Sequence, residues 1–259
     1  MKNLLIGAAS GNYKSNDLKN WVESSNWVDC ERILFLYNPS DDELINYLLN
    51  NNIKVFKPDF NFNGSNVENF ECNTARCNIE SSYGLIHNIR FFHIWCYLNE
   101  GPIYDKVLIT DVKDVYFNSN PFDFLSNEFI TATSEVVKYK DESWNRSHVD
   151  TNLGLIGLNT LLDKPVYNVG VFGGPHNLMK DMCSDIYLMS VGKPKVADQT
   201  SFNYLIQTRY LDKTKFTDLS DNFAVHLHVI NAGLVKFDLK DINKYSIIHQ
   251  YDRIKDFKR

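Results

Sequence analysis

The chain predicts an α/β fold in which helices flank a mixed, mainly parallel central sheet, and three observations carry that expectation. Short apolar runs alternate with segments of helical spacing through the first quarter of the chain, the βαβ rhythm of a parallel sheet. The run Val107-Leu108-Ile109-Thr110 is apolar without alternation, as a strand covered on both faces must be. Two carboxylates, Asp111 and Asp114, leave the carboxyl end of that run, where open α/β sheets collect their ligands.

Leu4 to Ala8 reads as the first strand, Leu18 to Val28 as a helix, Arg32 to Tyr37 as the second strand, Asp41 to Leu49 as a helix and Ile53 to Phe56 as the third strand. The Asn- and Ser-rich residues 58–80 read as an irregular excursion. Leu85 to Leu98 has helical spacing and stops before Gly101-Pro102, and Lys106 to Thr110 follows as the buried strand that delivers the aspartates. Glu128 to Ser134 reads as a short strand, and 135–150 as a polar connection holding Glu142, Trp144 and Asn145. Asn168 to Pro175 reads as a strand entering a Gly173-Gly174 turn, with Pro175 suited to the first turn of a helix. Helices are expected at 176–191 and 198–210, and short strands near 223–229 and 245–249. No repeat, Pro-rich linker or composition shift divides residues 1–259, so they read as one domain.

Bulk composition removes several function classes. A formal charge of -5 argues against an electrostatic footprint on nucleic acid. The apolar stretch at Leu4-Leu5-Ile6 is too short for a signal peptide, and no run reaches transmembrane length, so a cytoplasmic protein is expected. Five scattered cysteines suit free thiols better than a disulfide framework; Cys72 and Cys77, the close pair, lack the second half of a zinc site. The 44% of hydrophobic residues are enough for a substantial core.

Paired carboxylates at a strand end suit a hard cation such as Mg²⁺ or Mn²⁺, which takes one or two carboxylates and completes its shell with substrate phosphates. The same residues also serve as turn caps or solvated charges, so the pattern alone leaves both uses open. Other spaced features accompany it: Arg90 in the preceding helix, Pro121-Phe122 after the acidic element, Asn168-Val169-Gly170, Asp198-Gln199 with Asn203, and His249 with Lys255 six residues on.

Together these residues resemble, over nearly the whole chain, the GT-A class of metal-dependent glycosyltransferases, particularly the glycogenin and lipopolysaccharyl-galactosyltransferase group known as family 8. The resemblance implies a nucleotide-binding half up to about residue 117 and a sugar- and acceptor-binding half from about 118. The acidic motif departs from the usual Asp-x-Asp form. Aligning Val115-Tyr116-Phe117 puts Asp114 on the second family Asp and Val112 on the first, with Asp111 one residue earlier. Asp114 is thus an expected metal ligand, and Asp111 either binds the metal in altered geometry or accepts a ribose hydroxyl. His249 is similar to the C-terminal histidine that completes the metal site, and neutral imidazole suits Mn²⁺ beside carboxylates. His226 and His228 read as ordinary core or surface residues.

For the donor, the resemblance places uracil and ribose against the loop Ala8-Ala9-Ser10-Gly11-Asn12-Tyr13, where small residues admit the ligand and Tyr13 offers a ring to the base. It assigns the diphosphate to Lys255, with Arg253 as a bidentate contact, and the donor sugar or diphosphate to Arg90. Asp198 is first of all a good N-cap for a helix; in the related enzymes that Asp grips sugar hydroxyls and the next residue, here Gln199, faces the anomeric carbon. Asn168 and Gly170 are expected to line the same pocket, with Gly173-Gly174 permitting close approach. Glu142 and Trp144 read as an acceptor wall or as an exposed loop with one anchor.

The expected function is transfer of a sugar from a nucleotide diphosphate, UDP foremost, to a hydroxyl of a glycan, protein or small molecule, with Mn²⁺ or Mg²⁺ as cofactor. Family 8 enzymes retain configuration, and among the expected site residues no unmistakable general base stands out; Asp198 and Glu142 are the carboxylates left for that task. The alternatives are a non-catalytic nucleotide-sugar-binding protein and a sugar-phosphate nucleotidyltransferase, though a Gly-rich loop with a basic residue after the first strand is missing. A haloacid-dehalogenase-like phosphatase would need its nucleophilic Asp after the first strand, and Asp111 comes too late for that.

Overall fold

The computed structural model describes residues 2–10, 13–37, 42–58, 65–67, 70–72 and 83–254. Strand β1 (Leu4–Ser10) leads to helix α1 (Ser15–Ser24), β2 (Glu31–Tyr37), α2 (Asp42–Asn50) and β3 (Lys54–Phe56). Helix α1 starts before the predicted Leu18 because the Asp17 carboxylate accepts the Lys14 N–H at 2.9 Å and closes the first turn. Its inner face, Leu18, Trp21 and Val22, is fully buried. Within the stretch expected to be irregular, β4 (Ser65–Val67) and β5 (Phe70–Cys72) pair antiparallel. Helix α3 (Tyr83–Glu100) precedes β6 (Lys106–Thr110) and β7 (Val115–Phe117).

The second half departs further from expectation. Strand β8 (Ile130–Lys138) is longer than predicted, and the supposed polar connection is divided between the end of β8, a short turn and the first half of helix α4 (Ser143–Leu161). Glu142 starts this helix by accepting the backbone N–H groups of Trp144 and Asn145 at 3.0 and 2.7 Å. Gly154, at φ 59° and ψ -148°, breaks the helical path inside it and scrambles its apolar spacing. Strand β9 (Pro165–Pro175) runs straight through Gly173 and Gly174 with no turn, and Pro175 stands just before α5 (His176–Ser190) instead of in its first turn. Helix α6 (Asp198–Gln207), strand β10 (Thr214–Thr217), β11 (Ala224–His226), α7 (Leu227–Asn231) and β12 (Ile247–His249) complete the order.

Seven strands form the central sheet in the order β10-β8-β9-β6-β1-β2-β3. Neighbours pair parallel except at β9, which is antiparallel to both β6 and β8. The sheet is thus mainly parallel, as expected. One buried cluster packs α3, α5 and α6 against it through Phe91, Phe172 and Phe202, and another packs α1 and α2 on Leu5, Leu34 and Leu108. Gly173 and Gly174 let the backbones crowd together, since a Cβ on either would lie within 2.8 Å of the Val107 or Phe129 carbonyl oxygen. They serve the sheet at its far end and not a sugar pocket.

A three-stranded sheet, β11-β12-β7, sits beside the carboxyl end of β6. Its register sets His226 next to His249 across the β11–β12 pair and His249 next to Val115 across the β12–β7 pair. No helix among the described residues is long and apolar enough to cross a membrane. Cys30, Cys96 and Cys183 are free thiols, while the Cys72 side chain and Cys77 lie outside the described residues.

Candidate functional site

Asp111 follows β6 directly and is tied down by its own N–H, which donates to the Gly170 carbonyl of β9 at 2.7 Å. The next residue, Val112, turns inward: it is 3% exposed, and its methyl fills the space a Cβ on Gly7 of β1 would occupy. Val112 is thus a core residue, and the carboxylates this element brings to the cleft are those of Asp111 and Asp114.

Asp111, Asp114 and His249 meet here, each offering one ligand atom, with these atoms all within 4.8 Å of one another. His249 Nε2 lies 3.4 Å from Asp111 Oδ2 and 3.6 Å from Asp114 Oδ1. That nitrogen is sealed from solvent and has no hydrogen-bond partner. A buried polar atom without a partner costs free energy, and a divalent ion among these atoms would remove the deficit, because ligands around Mg²⁺ or Mn²⁺ sit about 3 Å apart. The donor set of two carboxylates and an imidazole therefore fits such an ion.

His226, read from the sequence as an ordinary residue, has a specific part here. Its Nδ1 lies 3.0 Å from His249 Nδ1. Burial, with His249 adding to it, holds the His226 imidazole well below its ordinary pKa and so neutral. A neutral His226 that accepts at Nδ1 keeps a His249 proton on Nδ1, so Nε2, where Asp114 and Asp111 favour a second proton, is the nitrogen an ion could take by displacing that proton. This is the outer-layer control of tautomer common around metals.

Arg90 of α3 is 6% exposed and divides its guanidinium between Asp111 Oδ1, at 2.6 Å from Nη1, and Asp198 Oδ2, at 3.0 Å from Nη2. Burial alone would push its proton off, but Asp111 and Asp198 outweigh that and hold it firmly charged. Burial likewise opposes ionisation of Asp111, yet Arg90 and His249 hold that carboxyl below the usual range; burial raises Asp114. Asp198 is the first residue of α6 and not its N-cap. Ala197 occupies that position, while Asp198 Oδ1 accepts the Gln199 N–H at 2.8 Å. Arg90 is accordingly a strut between two carboxylates.

Gly170 is where a small residue matters to this cluster, since a Cβ there would collide with Asp111 Oδ2, Asn168 Oδ1 and the His249 ring. The Asn168 side chain accepts the Gly170 N–H at 2.7 Å and donates to Glu135 Oε1 at 2.6 Å. Gln199 accepts the Val169 N–H at 3.3 Å and donates to Asn145 Oδ1 at 2.8 Å. The expected sugar-side residues Asn168, Gly170, Asp198 and Gln199 are thus joined in one polar layer. Glu135, absent from the sequence reading, is its hub.

A cleft of about 240 Å³ opens at this end of the sheet, lined by Ala8, Ala9, Tyr13, Lys113 and Arg253 with the two aspartates. Lys113 Nζ lies 6.0 Å from the Tyr13 ring centroid. Only the backbone of Ser10 is described, and Gly11, Asn12 and Lys255 lie outside the described residues. Glu142 spends its carboxylate on the start of α4, and Trp144, half-exposed, stacks on His148 at 3.8 Å between centroids.

No protein-family model matches the chain, and no curated protein matches it in sequence. Among solved structures it is similar to WbbM, described as a bifunctional glycosyltransferase in apo form, with a TM-score of 0.61 at 14% identity over 96% of this chain and 45% of that one. At that identity the likeness is one of fold, and this chain spans less than half the length of that enzyme.

Proposed function

We propose that this chain is a metal-dependent glycosyltransferase that moves a sugar from a nucleotide diphosphate, UDP foremost, to a hydroxyl acceptor, and that it shares the family 8 pattern in a variant with Asp-x-x-Asp spacing. One observation carries the reading: the unpartnered His249 Nε2 faces Asp111 and Asp114 beside a cleft at the carboxyl end of the sheet. The fold shared with a glycosyltransferase supports it.

Charge balance gives the reading a quantitative edge. The cleft is lined by Arg90, Lys113 and Arg253 against Asp111, Asp114 and Asp252, three cations facing three carboxylates. Among the described lining residues these charges balance, so a divalent ion would supply the added positive charge that favours a diphosphate. Asp114, His249 and Asp111 would hold Mn²⁺ or Mg²⁺, which when bound neutralises charge on the departing diphosphate. Tyr13 offers a face to the base, and Ala8 and Ala9 let the donor approach the backbone. Arg253 and Lys255 place fixed positive charge by the diphosphate. Asp198, held by Arg90, orients donor hydroxyls, and Gln199 stands beside the reacting carbon.

Calorimetric titration of UDP with and without Mn²⁺ tests the shared site: each should strengthen the other, and equal affinity in both conditions would sink it. Metal-dependent hydrolysis of a nucleotide sugar separates this enzyme from a protein that merely binds the donor.

A further inference from the structure

Three lysine and arginine side chains line the cleft, Arg90, Lys113 and Arg253, and two of them are already engaged. Arg90 divides its guanidinium between Asp111 and Asp198. Arg253 holds Asp252 through Nε at 3.3 Å. Lys113 differs. Its side chain is exposed, and among the described residues its ammonium pairs with no carboxylate. The contact it makes is with the ring of Tyr13, whose centroid lies 6.0 Å from Nζ, the outer limit of attraction between a cation and an aromatic face. The uncommitted positive charge among the described lining residues is therefore the Lys113 ammonium.

The backbone that carries it is fastened on several sides. Asp111 donates its N–H to the Gly170 carbonyl of β9 at 2.7 Å, and the Asp114 carbonyl accepts the Gln250 N–H at 2.7 Å. Between them, the Lys113 carbonyl accepts the Tyr251 hydroxyl at 2.9 Å. That hydroxyl is fixed in turn by the Asn20 amide of α1, which donates to it at 2.9 Å. Val112 adds a buried side chain packed against Gly7. The turn from Asp111 to Asp114 is thus tied to β1, β9, α1 and the chain after β12 before any ligand arrives. Holding an anion costs Lys113 the freedom of its side chain alone.

Its position says which anion. Nζ lies beside the Tyr13 ring, and the residue adjoins Asp114 of the proposed metal group. A nucleotide diphosphate laid from that ring to that group passes its ribose and α-phosphate between the two, with the β-phosphate farther along. A ribose hydroxyl calls for no charge, whereas an ammonium is a compact point charge suited to a phosphate oxygen. We propose that Lys113 binds the α-phosphate of the donor, a role that rests on the glycosyltransferase reading given above.

The chemistry of transfer then sets what Lys113 can and cannot contribute. The bond that breaks joins the anomeric carbon to a β-phosphate oxygen, and its electron pair leaves on that oxygen. Charge on the α-phosphate is the same before and during this step, so the contact is made equally in the ground and transition states. Lys113 is accordingly a donor-binding residue: its loss should appear in KM and leave kcat alone.

The test uses the whole chain at saturating Mn²⁺, with UDP and UMP titrated by calorimetry into the parent, Lys113→Gln and Lys113→Arg. Glutamine keeps a hydrogen-bond donor and removes the charge, and an exposed side chain on a turn held by its backbone tolerates the change. UDP and UMP, which share the α-phosphate, should both weaken by the same factor of about ten in Lys113→Gln, the order of one hydrogen bond to a charged group. Lys113→Arg should recover most of that loss. The parent's UDP affinity should fall more steeply with added KCl than that of Lys113→Gln, as an exposed charge contact requires. On any UDP-sugar the parent hydrolyses, Lys113→Gln should raise KM by about the same factor of ten with kcat unchanged. Unchanged UDP and UMP affinity in Lys113→Gln, or a fall in kcat at constant KM, would overturn the role of Lys113. Loss for UDP with UMP untouched, or a parent that binds UDP but not UMP, would overturn the assignment to the α-phosphate. Each of these outcomes leaves metal-dependent UDP binding by the parent standing. A parent in which Mn²⁺ and UDP do not strengthen each other would overturn the glycosyltransferase reading and this role with it.

Discussion

Each end of the central sheet carries a buried histidine beside a cleft, and the two histidines are in opposite condition. At the amino end of β6, His176 Nδ1 accepts the Tyr104 N–H at 3.4 Å and Nε2 donates to the Leu98 carbonyl at 3.0 Å. Both ring nitrogens are satisfied by backbone, so the ring is a structural pin. At the carboxyl end, His249 has only Nδ1 satisfied, and Nε2 faces two carboxylates with no partner. The cleft by His176 is the larger, about 400 Å³ against about 240 Å³, and is lined largely by Ile103, Tyr104, Pro175 and Leu178. Size therefore does not pick the site; the unfinished hydrogen bonding does.

The sharpest way to break this comparison is to remove each histidine. His249→Ala should weaken Mn²⁺-dependent UDP binding and turnover by about 100-fold or more. Asp114→Asn should abolish metal-dependent turnover with the fold intact. His176→Ala should instead cost about 1–3 kcal/mol of stability, from the buried groups it leaves unpaired, with turnover per folded molecule unchanged. Calorimetry and urea unfolding on the three variants decide it, and equal loss of metal binding at both histidines would end the distinction.

Glycines on β9 sharpen it next. Gly170→Ala intrudes on Asp111, Asn168 and His249, so Mn²⁺ affinity should drop at least about tenfold, since displaced ligands and outer partners weaken metals by that order. Gly174→Ala presses on the Phe129 carbonyl and Ile130 backbone and should cost about 1–3 kcal/mol with metal affinity untouched. Swapped phenotypes in metal titrations and unfolding curves would refute the assignment of the two ends.

Asp198→Asn comes third. Asn caps a helix as well as Asp does, so a simple cap would tolerate it. The buried pair with Arg90 does not: with Asp111 left as the guanidinium's one carboxylate, a loss of about 2–3 kcal/mol is expected along with poor transfer. A melting temperature equal to that of the parent would return Asp198 to a minor structural part.

The smallest effect is in pH, where the two histidines should move oppositely. Burial disfavours charge on both. At His249 the nearby Asp114 and Asp111 outweigh burial and hold its pKa above the ordinary 6.5, whereas at His176 burial wins and lowers it. The metal-free protein should thus have the full His249 contribution below 6.5 and lose it as pH rises through the raised folded value. The His176 contribution should be complete above 6.5 and be lost as pH falls through its lowered value. Unfolding free energy against pH for each alanine variant isolates the two slopes. Mn²⁺ affinity should climb over the His249 window, because the ion displaces that proton.

Much of this was legible in the sequence where one segment carries the information. The strand before Asp111, the helix around Arg90 and the start of α6 at Asp198 all came from local spacing. What escaped depends on partners distant in the chain. His226 matters because β11 pairs with β12, and Glu135 because an irregular β8 meets Asn168 of β9. A run of three polar residues, Thr133-Ser134-Glu135, inside a buried strand was the available signal. Helix α4 escaped because Gly154 interrupts its period and Leu155 and Ile156 face solvent. Asp198 read as a cap because nothing local announces Arg90.

The antiparallel strand of the central sheet, β9, has a consequence for how the molecule is made. β9 fills the gap between β6 and β8, so on a growing chain β6 keeps a bare, apolar edge until residues 165–175 have emerged, and the sheet closes late. His249 arrives later still. A ribosome-bound chain stopped short of β12 can complete its main sheet yet lacks one of the three side chains of the proposed metal site, so on that proposal metal uptake would serve as a clock for the last step of folding.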